Sequence, residues 1–278
     1  MNRLQAGSLD QLDNTIGRPR YKRTALKPGI LHFGIGAFHR AHQAVYTDDA
    51  VALCGGDWGI IGVSLRSNTV ARQLLPQDCL YSVLSQDAER SELRIIGVIQ
   101  DVIVAPDNSE RVVSAIADPA IKIITLTITE KGYCLAADGR SLDVSNSQIR
   151  ADLEHPDAPL SAIGLLALGL HQRCVQSGAP ITLISCDNLS ENSKRLKTVL
   201  IDYLSKSFSD TVEWLATCVA FPCSMVDRIV PAMTDERRQQ QALVLGVEDA
   251  AAVQTECFNQ WIIEDHFAAE RPAWEQAG

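Results

Sequence analysis

Gly29-Ile30-Leu31-His32-Phe33-Gly34-Ile35-Gly36-Ala37-Phe38-His39-Arg40-Ala41-His42-Gln43 is an apolar run that breaks on two glycines and then takes up helical spacing. The pattern predicts strand, tight turn, helix. Gly34 and Gly36 remove Cβ atoms where the backbone must turn and where a ligand must approach it closely. The helix that follows offers unpaired N–H groups and a positive dipole end, which suit a pyrophosphate. Such a corner belongs to a doubly wound α/β fold. The expected architecture is an enlarged Rossmann-type, mostly parallel sheet with helices on both faces.

Working outward, Phe38, Ala41, Val45 and Ala52 carry the helix to Gly55-Gly56, and Trp58 to Leu65 reads as a second strand, completing a parallel crossover. The usual fingerprint has an acidic residue about 20 positions past the glycines, but here the strand ends on Leu65-Arg66. Arg66 suits a ribose 2′-phosphate, a stack on adenine or a solvated loop position, so NAD and NADP both stay open. His39 stands at the third glycine of the fingerprint, one helical turn from His42. With no Cys/His/Asp cluster beside them, capping, phosphate contact or packing is expected there and a metal is not.

Asn68 to Leu75 reads as a helix, and Leu80 to Leu84 with Leu93 to Val104 as an inserted hairpin-like pair. A helix over Ser109 to Ala117 stops at Asp118-Pro119. Ile121 to Thr129 then has the composition of a buried parallel strand, opening on Glu130-Lys131-Gly132-Tyr133. Ligands of open α/β sheets sit outside such carboxyl ends, which puts Thr127, Thr129 and Lys131 near a bound cofactor. A charged surface turn is the competing reading. Residues 136–159 read as a connecting loop, Leu160 to Gln176 as a helix, and Ile181 to Ser185 as a strand ending in Cys186-Asp187-Asn188. Asn192 to Leu204 reads as a helix capped by Asn192 or Ser193, followed by an amphipathic Thr211 to Cys218. In the apolar stretch Phe221 to Pro231 the only charged groups are Asp227 and Arg228. They read either as a structural pair or cap, or as a site carboxylate with its neighbour. Thr234 to Leu245 reads as a polar helix and Phe258 to Asp265 as a last strand or helix.

The bulk properties restrict the partner. A chain of 278 residues with 46% hydrophobic residues buries a sizeable core. A formal charge of −9 without a Lys/Arg cluster disfavours nucleic acid and anionic membranes and favours a small-molecule ligand. The lead from Met1 to Thr24 lacks the apolar core of a signal peptide, and no apolar run reaches bilayer-spanning length. Eight cysteines without a C-x-x-C pair point to reduced thiols in a cytoplasmic setting and not to a zinc ribbon.

Five blocks, in order, carry a resemblance: Gly34 to Ala44, Thr127 to Tyr133, Ser185-Cys186-Asp187-Asn188, Ser224-Met225-Val226-Asp227-Arg228-Ile229 and Gln260 to Asp265. They resemble the long-chain mannitol dehydrogenase family, which includes mannitol 2-dehydrogenase and fructuronate reductase (mannonate oxidoreductase). The resemblance implies an NAD(P)-dependent, metal-independent secondary alcohol dehydrogenase acting on acyclic polyols or sugar acids and their keto forms. It implies cofactor contacts along Gly34, Ile35, Gly36, Ala37, Phe38 and His39, Asn188 as an amide polarising the reacting oxygen, Asp227 as the acidic residue beside the reacting centre, and Val226 as a neighbour of the nicotinamide. It also implies a lysine base, with an asparagine and a histidine, on a helical second domain that has no counterpart here. Residues 1–278 are therefore expected to be the amino-terminal dinucleotide-binding domain, with the carboxyl-terminal helical substrate domain absent from this chain. The expectation is dinucleotide binding with little turnover, the alternative being a catalytically silent nucleotide-binding fragment. A surface that family members cover with that second domain is expected to self-associate.

Overall fold

The computed structural model describes residues 1–277. Its strands are β1 (Pro28–Phe33), β2 (Gly59–Ser64), β3 (Tyr81–Gln86), β4 (Ser91–Ile96), β5 (Ile99–Val104), β6 (Ile123–Leu126), β7 (Ile181–Ser185), β8 (Val219–Ala220), β9 (Ser224–Asp227), β10 (Val253–Thr255) and β11 (Gln260–Ile263). Its α-helices are α1 (Ala37–Ala41), α2 (Gln43–Cys54), α3 (Thr69–Leu74), α4 (Ser109–Ala117), α5 (Ser147–Glu154), α6 (Ala162–Gln176), α7 (Asn192–Ser207), α8 (Thr211–Cys218) and α9 (Asp235–Leu245).

Six strands form one parallel sheet in the order β5-β2-β1-β6-β7-β8. Every residue of β6 and β7 is buried, as an apolar strand covered on both faces requires. Leu31, Phe33, Ile124, Leu126 and Leu183 face one side, against Val112 and Ile116 of α4, Leu166 and Leu170 of α6 and Leu196 and Leu200 of α7. Ile30, Ile60, Ile123 and Ile184 face the other, against Ala44, Val45 and Val51 of α2. Each such fully buried aliphatic side chain contributes about 1.5–3 kcal/mol of transfer free energy. Helices on both faces make the sheet doubly wound, as expected.

A second sheet, β10-β3-β4, covers α1 and α2 with Tyr81, Val83, Ile96 and Val253. Its far side buries Leu80, Leu93 and Ile95 against Leu4, Leu12 and Ile16 of the N-terminal lead and Leu245 of α9. The remaining ribbon pairs β9 with β11 antiparallel.

Several boundaries differ from the sequence reading. Leu93 to Val104 is two strands, not one: β4 pairs with β3, and β5 joins the main sheet beside β2. The break falls at Gly97, whose N–H donates to Asp48 Oδ1 at 2.9 Å and whose carbonyl accepts from Arg23 Nε at 2.8 Å, leaving nothing for a ladder. The first helix is interrupted at His42 (φ −122°, ψ −88°). Residues 136–159 are not all loop: Asn146 caps α5 by accepting from the amides of Gln148 and Ile149, and the buried Asp152 of that helix accepts from Leu160 and Ser161 to start α6. Two polar turns carry too little periodicity to stand out from a loop. Neither Asn192 nor Ser193 caps α7: Glu191 precedes the helix in a left-handed conformation, and Asn192 Nδ2 instead donates to the carbonyls of Asp187 and Ser224.

Candidate functional site

β2 and β6 flank β1 on opposite sides, so the chain reverses its winding direction between β1 and β6. The loops leaving these two strands diverge and open a crevice at their carboxyl ends. A cavity of about 480 Å³ lies there, lined by Gly34, Gly36, Ala37 and Phe38 after β1, Thr127 and Thr129 after β6, Cys186, Asp187 and Asn188 after β7, and Val226, Asp227 and Arg228 of the ribbon. A slightly larger cavity, about 520 Å³, shares none of these residues; it opens between Met1, Arg3 and α9, where Arg238 is already paired with Asp235.

The two glycines have different reasons. Gly34 has φ +95°, and a Cβ there would lie 2.2 Å from Thr127 O, so the approach of β1 to β6 excludes any side chain. Gly36 has φ −80°, and a Cβ there would meet nothing nearer than Gly34 O at 3.8 Å. Nothing within the protein demands a glycine at 36. After the Gly36 amide, which bonds to Gly34 O, the next to bond back is that of Arg40, to Gly36 O, which leaves the amides of Ala37, Phe38 and His39 without a backbone partner.

The floor after β6 is strained. Thr129 has φ +65° and ψ 163°, a region almost confined to glycine and costing on the order of 1–3 kcal/mol. Asp187 holds it there: Oδ1 accepts from the Thr129 amide at 2.9 Å, and Oδ2 from the Ile128 amide at 3.0 Å and the Tyr133 hydroxyl at 2.6 Å. Burial raises the Asp187 pKa, while Tyr133 and the two amides pull it back down. These amides also explain why β6 ends at Leu126, short of the expected Thr129: their donors leave the ladder for a carboxylate. Beside Asp187, Asn188 is exposed and its side chain makes no hydrogen bond among the described residues.

Of the residues singled out from the sequence, the fold brings together Gly34, Gly36, Ala37, Phe38, Thr127, Thr129, Asn188, Val226 and Asp227. Four side chains fall outside the cavity wall. Ile35 is buried and packs over Gly62, where a Cβ would lie 1.9 Å from its Cδ1. His39 is fully buried, its pKa pushed well below the usual value by burial and then by the neighbouring His32 and Arg40. Arg66 is exposed beyond the end of β2, and Lys131 is exposed on a short 3-10 turn. Asp227 and Arg228 do not pair. Asp227 stays exposed on β9, whereas Arg228 is buried and donates to the carbonyls of Ala41 and Glu256 and to Ser85 Oγ, tying the ribbon to the α1–α2 junction. His42 Nε2 turns away to Gln260 O at 2.9 Å. No group of three or more potential metal ligands occurs among the described residues.

The sequence motifs do not single out Asp187, Tyr133 or His32 as site residues. Asp187 adjoins Asn188 at a strand end and was legible by position; the other two became visible only through their partners.

Residues 28–276 match the mannitol dehydrogenase Rossmann domain. The chain is 40% identical over 267 residues to the D-mannonate oxidoreductase of Escherichia coli, covering 95% of this chain and 55% of that protein. It is 38% identical over 279 residues to the mannitol 2-dehydrogenase of Phaeosphaeria nodorum, covering 99% and 49%. Among solved structures, the Pseudomonas fluorescens mannitol 2-dehydrogenase in ternary complex with NAD and D-mannitol superposes with a TM-score of 0.95 at 37% identity, covering 99% of this chain and 57% of that one. The chain thus spans about half the length of the curated relatives it matches. On this sequence match and this fold, the chain belongs to the mannitol dehydrogenase family, through its Rossmann domain.

Proposed function

We propose that the cavity at the β1–β6 switch point binds NAD, and that the chain is the nucleotide-binding part of an oxidoreductase interconverting an acyclic polyol or sugar acid and its keto form. The observation that carries this reading is Gly36, a glycine without an internal steric or conformational reason, facing a cavity whose neighbouring amides are unpartnered. Space kept clear of a Cβ beside free donors suits a pyrophosphate. The relative from P. fluorescens was solved with NAD and D-mannitol.

When bound, the nicotinamide supplies the hydride acceptor or donor. The protein positions and polarises. Gly34, Gly36, Ala37 and Phe38 border the phosphate path, Thr127 and Thr129 the floor, and Val226 the nicotinamide face. The uncommitted amide of Asn188 donates to the substrate oxygen on which negative charge develops. Asp227 accepts from a substrate hydroxyl beside the reacting carbon. The cavity lining includes no lysine or histidine to serve as a general base of suitable pKa. The isolated 278-residue chain is therefore an NAD binder with little turnover of its own.

Titration with NADH, followed by fluorescence, tests the binding half, and steady-state assays with D-mannitol and D-mannonate test the rest. Saturable NADH binding with turnover near background is the expected pair. No binding at millimolar NADH defeats the reading, and full-rate polyol oxidation defeats the claim about the base. On the exposed side of the ribbon, Met225 lies directly opposite Ile262, a bare apolar pair through which the isolated chain self-associates. Sedimentation velocity showing a clean monomer at high concentration would remove that last element.

A further inference from the structure

Two imidazoles beneath the cavity take no part in the site described above. His32, on β1, is fully buried with both ring nitrogens engaged: Nδ1 lies 2.7 Å from Thr125 Oγ1, and Nε2 lies 2.9 Å from Thr127 Oγ1 and 3.2 Å from Gly34 O. A carbonyl oxygen only accepts, so Nε2 carries the hydrogen. Burial drives the His32 pKa down to about 3, which keeps the ring neutral and leaves Nδ1 bare, accepting from the Thr125 hydroxyl. Because Nε2–H also faces Thr127 Oγ1, Thr127 turns its own hydrogen onto Gly34 O, 2.9 Å away. The hydrogens run one way, from Thr125 through His32 and Thr127 to Gly34.

The end of that chain is the carbonyl of the residue whose φ of +95° makes the turn. It accepts a third donor as well, the Gly36 amide at 2.6 Å. Rotation of the Gly34 peptide would break all three contacts together. His39 adds a spacer: its ring lies flat on His32, centroids 3.4 Å apart and planes 14° apart. In the dinucleotide fingerprint the third glycine lets the helix pack closely on the strand. Here a stacked ring pair sets that separation.

We propose that His32 is a positioning residue of the dinucleotide site, holding the Gly34–Gly36 turn in its binding geometry through Thr127 and the Gly34 carbonyl, with His39 as the spacer that fixes helix to strand. This rests on the NAD reading above. The position of His32 is suited to the task because His32 and Thr125 are register partners on adjacent strands, so the ring cannot drift from the hydroxyl that orders it.

The test uses the full chain, with NADH affinity read by fluorescence titration and the unfolding midpoint measured in parallel. His32→Leu removes all three polar contacts of the ring, Thr127→Val removes the last link, and His32→Gln returns a donor near the Nε2 position. Loss of one buried hydrogen-bond link is expected to weaken NADH binding about tenfold in each of the first two variants. The His32→Leu/Thr127→Val double variant is expected to be no weaker than the poorer single, because both break the same chain. His32→Gln is expected to recover most of the affinity even where its midpoint stays low, a rescue that a purely structural role would not produce. An affinity within about twofold of wild type in His32→Leu, or losses that simply add in the double variant, overturns the assignment. Should His32→Leu fail to fold, Thr127→Val is judged against Thr127→Ser, which keeps the hydroxyl: a loss of about tenfold supports the assignment and one within about twofold overturns it. A wild-type chain that binds no NADH overturns the NAD reading itself, which separates that failure from this one.

Discussion

Arg173 and Arg40 are both buried arginines on helices that flank the same sheet, and their surroundings are opposite. Arg173, fully buried on α6, places every donor on a backbone carbonyl: Nε on Ala179, Nη1 on Ile116 and Asp118, and Nη2 on Ile121 and Pro180, all between 2.7 and 3.0 Å. Arg40, buried on α1 behind the glycine turn, lies over the Tyr81 ring at 5.8 Å and leaves Nε and Nη1 without partners. Its neighbours share the condition: Nδ1 of His42 is buried and unpaired, and the polar atoms of His39 and Gln43 have no partner beyond each other. Each such group forfeits about 1–3 kcal/mol relative to a paired one. The region of the helix α6 terminus is built for stability, while the wall behind the cavity gives stability up to hold a shape.

That contrast can be broken by experiment. The largest effect is expected at Arg173→Met, which leaves five carbonyls short of a donor and lowers unfolding free energy by on the order of 3–5 kcal/mol in urea titrations. NADH affinity of the folded protein should not change, and a parallel loss of affinity would dissolve the distinction between the regions.

Next is the pH profile. The folded pKa values of His32 (about 3) and His42 (about 4) lie below the usual 6.5 because burial disfavours the charged ring. The unfolded chain therefore takes up protons first on acidification. Stability from the neutral rings is complete above pH 6.5 and is lost as pH falls toward 4, with His32 alone accounting for on the order of 3 kcal/mol. Burial of Asp48, Asp187 and Asp249 raises their pKa values, so these groups oppose the trend in the window just above 3.8. Urea midpoints at pH 7 and 4.5 measure the balance. Arg173→Met should shift the whole profile without changing its slope, whereas His32→Leu should flatten it.

Gly34→Ala should cost about 2–3 kcal/mol, since its Cβ meets Thr127 O and its φ is left-handed, and NADH binding should fall with it. Gly36→Ala separates the two quantities. Its stability change should stay within about 0.5 kcal/mol, as for an unstrained surface site, while NADH affinity drops about tenfold or more, since the backbone can no longer approach the phosphates as closely. Equal stability losses at the two positions would show that Gly36 has an internal role after all.

The smallest change is expected at Thr129→Gly. Relief of the strained φ, less the extra chain entropy of glycine, should stabilise by about 1 kcal/mol and weaken NADH binding by a small factor as the cavity floor loosens. A stabilised variant with unchanged affinity would mean that the strain serves no purpose at the site.

The fold was legible because its signals are local and repeated. β7 and α4 fall at the predicted residues, since an apolar run bounded by Gly178-Ala179-Pro180 and an amphipathic pair of turns stopped by Asp118-Pro119 leave few alternatives. The α5 turns were not legible because two polar turns carry too little periodicity, and the split of β4 from β5 was not because it depends on side chains distant in sequence, Asp48 and Arg23 capturing Gly97. At the site, strand order alone placed Thr127 and Thr129 at the cavity, while Asn188 and Asp227 came with the resemblance. Side-chain direction could not be read from order. For His39 capping, phosphate contact and packing were all open, and the ring stacks inward; for Asp227 and Arg228 a pair was one of two readings, and Arg228 reaches the backbone of Ala41 and Glu256 instead.

By itself the sequence determined the class of fold, the place of the glycine turn and which strand ends border the crevice, because hydrophobic period, turn residues and strand order are properties of short stretches of chain. Tertiary structure alone decided which of the two glycines is there for the fold and which for a ligand. That depends on how near Thr127 O comes to each, a distance set by the pairing of β1 with β6 across about ninety residues of intervening chain. The same packing decided that His32, an unremarked residue in an apolar strand, ends up ordering the carbonyl on which the turn rests.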